Sequence, residues 1–186
     1  MGDIPIRDLT ADDAAAIAQA AAILQDAFRE HWPEAWPTPE EATQAVVEML
    51  VPDRIARVAV AGTGEVIGFI GGIPNYDGNV WELHPLAVRP DLQGSGIGRA
   101  LVADFESLVA ARGGLTITLG SDDEDGMTSL AGADLYDGLW DRIRTIKDIK
   151  GHPFGFYLRM GYVITGVVPD ANGRGKPDIL MGKRVT

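Results

Sequence analysis

The stretch from Val80 to Gly120, VWELHPLAVRPDLQGSGIGRALVADFESLVAARGGLTITLG, restricts the possible folds more than any other part of the chain. Val80 to Val88 reads as a strand. Ile97, Leu101, Phe105 and Leu108 recur at helical spacing, Gly113 can close that helix, and Leu115 to Gly120 reads as the next strand. Strand, helix, strand is a βαβ unit, so these two strands, the fourth and fifth of the chain, should run parallel. The joint between strand and helix is Gln93-Gly94-Ser95-Gly96-Ile97-Gly98. Glycine lets the backbone approach a ligand without a Cβ in the way, and the unpaired N–H groups of a first helical turn suit a phosphate. A pyrophosphate fits here, although a plain tight turn or a dinucleotide-binding loop carries similar glycines. The dinucleotide fingerprint normally follows the first strand of its unit, whereas here three strands and two helices come first.

Those earlier elements have clear local signals. Ile4 to Leu9 can form a first strand, and Thr10-Ala11-Asp12-Asp13 resembles a capping box opening a helix with Ile17, Ala21, Leu24 and Phe28 on one face. After a loop from Trp32 to Pro37, Thr38, Pro39 and Glu41 supply N-cap, first-turn proline and capping-box acid for a second helix through Leu50. Arg54 to Ala61 and Glu65 to Ile73, joined by Gly62-Thr63-Gly64, read as an antiparallel hairpin. Beyond the fifth strand, Ser121 to Gly151 is less regular, with Leu135, Leu139, Ile143 and Ile146 spaced for one helix face. Pro153 to Met160 is a short helix ended by Gly161. Tyr162 to Pro169 and Lys176 to Arg184 form a last strand pair around Asn172-Gly173. Without repeats or a linker, 186 residues suit one α/β domain spanning 1–186.

The charge balance, 16 basic against 27 acidic residues, argues against a nucleic acid or an anionic membrane as partner. It leaves either a cationic partner or simple solubility as its purpose. There is no cysteine, which removes disulfides, a thiol nucleophile and thiolate metal sites together, and we expect no metal cofactor. No apolar run approaches the ~20 residues of a membrane span, and Met1 to Pro5 lacks signal-peptide features, so a cytoplasmic protein is expected.

Gln93, Gly96 and Gly98 match Gln/Arg-x-x-Gly-x-Gly/Ala, and on this motif and the element order the chain resembles the Gcn5-related N-acetyltransferase (GNAT) superfamily. The resemblance implies a mixed central sheet of about seven strands, helices on both faces, and parallel strands four and five that splay apart. It also implies acetyl-coenzyme A as co-substrate, with Gln93, Gly94, Ser95, Gly96, Ile97, Gly98 and Arg99 around the pyrophosphate and main-chain groups of Leu86 and Val88 on the pantetheine. Tyr157, four residues before the Gly161-Tyr162 pair, fits the family's tyrosine. A phenol suits proton donation to a departing thiolate, and the alternative is that Tyr157 merely packs beside Phe154 and Phe156.

A closer resemblance, to the chromosomal aminoglycoside 6′-N-acetyltransferases of the enterococcal type, rests on Trp32-Pro33-Glu34, GFIGGIPNY (Gly68–Tyr76), WELHPLAV (Trp81–Val88), LGSDDED (Leu119–Asp125), DLYD (Asp134–Asp137), HPFGFY and VVPDANGRGKPDILM. It implies catalytic or binding roles for Glu82, His84, Leu86 and Tyr157, a place for Tyr76 beside the substrate, and a homodimer in contact through its C-terminal strands. Period-two alternation agrees, placing Glu82, His84 and Leu86 on one face of the fourth strand. There Glu82 can accept the substrate ammonium or its proton, and the Leu86 N–H, freed at a strand bulge, can stabilise an oxyanion. His84 either assists or orders the strand by a hydrogen bond. Of the acids after the fifth strand, Asp122 and Asp123 are best placed to meet a polyamine sugar, and the rest read as solvated loop. Trp32, Glu34 and Trp36 form either a stacking wall or a loop anchor. An aminoglycoside is thus the expected substrate, with another amine, or a non-catalytic acyl-coenzyme A sensor, as the alternatives.

Overall fold

The computed structural model describes residues 4–185; Met1 to Asp3, part of the reading of a missing leader, lie outside the described residues. The chain divides into two compact units, one running to Ile117 and including Val185, the other Thr118–Arg184.

In the first unit β1 (Ile6–Asp8), β2 (Ile55–Val60), β3 (Val66–Asn75) and β4 (Val80–Val88) pair consecutively and antiparallel. Three helices accompany them: α1 (Ala14–Phe28), α2 (Pro39–Glu48) and α3 (Ile97–Ala111). The start of α2 is the one the sequence specifies, with Thr38 capping the Glu41 amide, Glu41 returning to the Thr38 amide, and Pro39 in the first turn. For α1 the cap is Asp13, not a box opened by Thr10. Asp13 accepts from the Ala16 amide and is held by Arg7 of β1 at 2.7 Å.

Helices cover both faces of this sheet. On one face α1 and α2 bury Ile17, Leu24, Val46 and Met49 in a cluster with Val58, Phe69 and Ala87. On the other, a Cβ at Gly68 would come within 2.9 Å of Leu101, and one at Gly72 would collide with Phe105, so the β3 glycines are the space into which α3 packs. Leu101 and Phe105 are fully buried, each contributing roughly 1.5–3 kcal/mol of burial. Arg57 fastens the same face by a two-pronged bond to Asp104 of α3 at 2.8 and 3.0 Å.

The register of β3 and β4 contains one irregularity that matters for the site. Ile70 stands opposite Leu86 and Gly72 opposite Leu83, so β4 holds one residue more than β3 across this interval. His84 and Pro85 lie in this bulge, where proline's missing N–H costs the ladder nothing.

In the second unit the strand order is β5 (Thr116–Asp122), β7 (Asp178–Arg184), β6 (Val163–Val168), with β6 and β7 antiparallel. The helix expected to carry Leu135, Leu139, Ile143 and Ile146 is only α4, Leu139–Arg144, and none of its residues is buried. Gly138, left-handed at φ +68°, separates it from the buried Leu135 and explains the shortening. The short helix α5, Phe154–Arg159, is followed by Gly161 at φ +87° as expected. Among the described residues no helix is long and apolar enough to cross a membrane.

Candidate active site

At the turn before α3, Gly94 and Gly96 have φ of +77° and +95°, a region costly for any side-chain-bearing residue. Their conformation leaves the amides of Gly94, Gly96, Ile97, Gly98 and Arg99 without a protein acceptor among the described residues, and no side chain caps the helix. This is a nest of N–H groups at the positive end of a 15-residue helix, suited to a pyrophosphate. Ser95 is exposed, and its hydroxyl donates to the Leu92 carbonyl. Gln93 reaches back to the Val88 carbonyl at 3.3 Å and ties the turn to the end of β4.

The bulge sorts the β4 side chains in a way that simple alternation misses. Glu82 is opposite Ile73, which packs on the α1/α2 cluster, and the His84 ring lies 6.1 Å from Trp36 at the end of the α1–α2 loop. These side chains therefore share the α1/α2 face. Leu86 is opposite Ile70, between Gly68 and Gly72 on the α3 face, so its side chain does not join them. The expectation of three groups on one face is corrected to two, because the extra residue at His84-Pro85 reverses the alternation.

Trp32 and Trp36 both pack on Phe28, at 5.5 and 4.7 Å between ring centroids, and the Gln25 amide holds the Pro37 carbonyl. The Trp36 ring is brought beside His84 of β4. Glu34 is exposed, as is Tyr76, 79% exposed at the β3–β4 connection.

In the second unit Asp122 ends β5. Its carboxylate accepts from the Asn172 side chain, and its carbonyl is 3.0 Å from His152 Nε2. Asp123 is fully buried, and its two oxygens accept from the Met127 and Thr128 amides at 2.6 and 2.8 Å. It builds the 123–128 loop and does not face a substrate, contrary to expectation. Tyr157 on α5 is 8% exposed and packs on Phe156 and Tyr162, at 5.1 and 5.5 Å between centroids. Burial pushes its phenol well above the ordinary tyrosine value, so it stays protonated and able to donate. His152, 2% exposed, is a residue the sequence analysis did not single out; the available signal was a histidine placed before Pro153 at a helix start. Among the described residues no group of His, Cys, Asp and Glu is arranged to hold a metal.

The chain belongs to the acetyltransferase (GNAT) family, whose model matches residues 17–130. Among solved structures it is similar to an aminoglycoside 6′-N-acetyltransferase complexed with coenzyme A, with 40% identity over 98% of both chains and a TM-score of 0.89. It is similar also to the aminoglycoside 6′-N-acetyltransferase from Enterococcus faecium, with 39% identity, 98% of both chains covered and a TM-score of 0.86. For an aminoglycoside 6′-acetyltransferase type Ii the identity is 34%, again over 98% of both chains, at a TM-score of 0.74. No curated protein matches the chain. The fold class read from the sequence is that of these relatives, and with the family comes acetyl-coenzyme A as acetyl donor.

Proposed function

We propose that the chain transfers acetyl from acetyl-coenzyme A to the 6′-amine of an aminoglycoside, an activity of the antibiotic-resistance type. The observation that carries the acetyl-transfer half is the set of unengaged amides of Gly94, Gly96, Ile97, Gly98 and Arg99 after β4, a cradle for the coenzyme A pyrophosphate. The aminoglycoside half is supported by relatives of 34–40% identity that bear that activity in their names.

In this reading the amine attacks the thioester carbon directly, with no acyl-enzyme. Glu82, assisted by His84, accepts the ammonium or its proton through water, and main-chain groups of Leu86 and Val88 meet the pantetheine and the developing oxyanion. Collapse of the tetrahedral intermediate breaks the C–S bond, and the neutral phenol of Tyr157 gives its proton to the leaving thiolate. The products are N-acetylaminoglycoside and coenzyme A. Trp32, Trp36, Glu34, Tyr76 and Asp122 are assigned to the sugar side.

We further infer that the chain acts as one domain, supported by a family match running across the Ile117 boundary. A homodimer using the C-terminal strands is supported by exposed Val163 and Val168 on β6, and a cytoplasmic location by the intracellular donor. A thiol-release assay over a panel of amines tests the reading: turnover with aminoglycosides carrying a 6′-amine is expected, and turnover confined to polyamines or peptides would overturn the substrate assignment.

A further inference from the structure

His152 lies between the two second-unit residues that the proposed function uses. Its Nδ1 accepts from the Phe154 amide at 3.1 Å, and its Nε2 is 3.0 Å from the Asp122 carbonyl. An accepting Nδ1 requires a neutral ring with its proton on Nε2, which then donates to Asp122. The ring thus spans from the end of β5 to the first turn of α5. That helix has no other side-chain cap, because its N-cap is Pro153. The backbone around the ring is pinned as well, since Asp148 Oδ1 accepts from the Gly151 and His152 amides at 2.7 and 2.9 Å. One turn beyond Phe154 comes Tyr157, whose amide bonds to the Pro153 carbonyl at 3.3 Å and whose own carbonyl accepts from Tyr162 at 3.0 Å.

We propose that His152 is a positioning residue, which fixes the start of α5 to the Asp122 carbonyl and thereby sets where the Tyr157 hydroxyl stands during proton transfer. A general acid displaced by a fraction of an ångström loses rate without losing ligand affinity. The bond that holds it is therefore read in kcat. This inference rests on the assignment of Tyr157 as the acid.

The test combines one measurement on the native protein with a mutant cycle. Nitrogen-15 NMR of the imidazole should show the neutral Nε2–H tautomer at pH 7; a charged ring or the Nδ1–H tautomer overturns the proposal. His152→Gln keeps reach towards Asp122 but lacks the Nδ1 acceptor, whereas His152→Asn keeps an acceptor for Phe154. Each variant thus breaks one end of the tether, and each should lower kcat about tenfold or more with the acetyl-coenzyme A KM within about twofold; wild-type kcat in either variant overturns the proposal. In a Tyr157→Phe background His152→Gln should have little further effect on kcat. If Tyr157→Phe lowers kcat and the two losses multiply, His152 does not act through Tyr157 and the proposal fails. If Tyr157→Phe alone leaves kcat unchanged, the acid assignment fails and takes this proposal with it.

Discussion

The indole of Trp36 and the imidazole of His84 lie 6.1 Å apart at an interplanar angle of 45°, which brings the α1–α2 loop to the β4 face that also carries Glu82. Trp36 is anchored edge-on to Phe28 and supplies a rigid wall there. Trp36→Ala should raise the KM for an aminoglycoside roughly two- to tenfold, the range of an aromatic contact worth about 0.5–1.5 kcal/mol, without a matching change for acetyl-coenzyme A. Steady-state kinetics on both substrates check this, and an equal rise in both constants contradicts it.

The coenzyme A cradle depends on backbone conformation. Gly96, at φ +95°, precedes α3 in the left-handed region, where a side chain costs about 1–2 kcal/mol. Gly96→Val should weaken acetyl-coenzyme A binding about tenfold or more by calorimetry while the circular dichroism spectrum is retained. Unchanged affinity would remove the cradle from the site.

Two adjacent acids should separate into stability and recognition. Asp123→Asn replaces one accepting oxygen by a donor against the Met127 or Thr128 amide, so it should cost about 1–3 kcal/mol and lower Tm by several degrees. Asp122→Asn should leave Tm nearly unchanged and raise the aminoglycoside KM, with a weaker dependence on salt than wild type. The reverse pattern would contradict the assignment.

His152 makes stability depend on pH in a direction that can be derived. Burial disfavours its imidazolium, more than the facing Asp122, Asp123 and Asp148 favour it, and holds its folded value below the ordinary 6.5. Near and below pH 6.5 the unfolded chain binds the extra proton, so this contribution is complete above 6.5 and is lost as pH falls through the folded value. Urea melts of wild type at pH 7.5 and 5.5 should therefore differ by more than those of His152→Asn. Equal differences would mean that the ring is not held neutral.

Local signals in the sequence were reliable where the physics is local. The Thr38-Pro39-Glu41 start of α2, the boundaries of β4 and the glycine turn before α3 depend on nearby residues alone. The α1 cap differs from the expected one because both Thr10 and Asp13 are suitable, and Arg7, six residues earlier on β1, helps to select Asp13. Alternation along β4 was extended through Pro85, the residue whose missing N–H signals a bulge, and Leu86 was put on the wrong face. Asp122 and Asp123 are indistinguishable as letters; the full burial of Asp123 against the partial exposure of Asp122 comes with the fold of the 123–128 loop, whose amides Asp123 holds.

The central claim is regiochemical, and the most direct test is mass spectrometry of products from neomycin and paromomycin, which differ in carrying an amine or a hydroxyl at the 6′ position. Direct transfer needs a neutral nitrogen lone pair close to the thioester carbon, with Glu82 and His84 to take the proton, and a hydroxyl is a far weaker nucleophile at neutral pH. Neomycin should gain a single acetyl group at the 6′ nitrogen. Paromomycin, which keeps the other amines, should remain unmodified and compete with neomycin for binding. Acetylation of paromomycin as efficient as that of neomycin would contradict the account by placing the reacting amine elsewhere on the sugar.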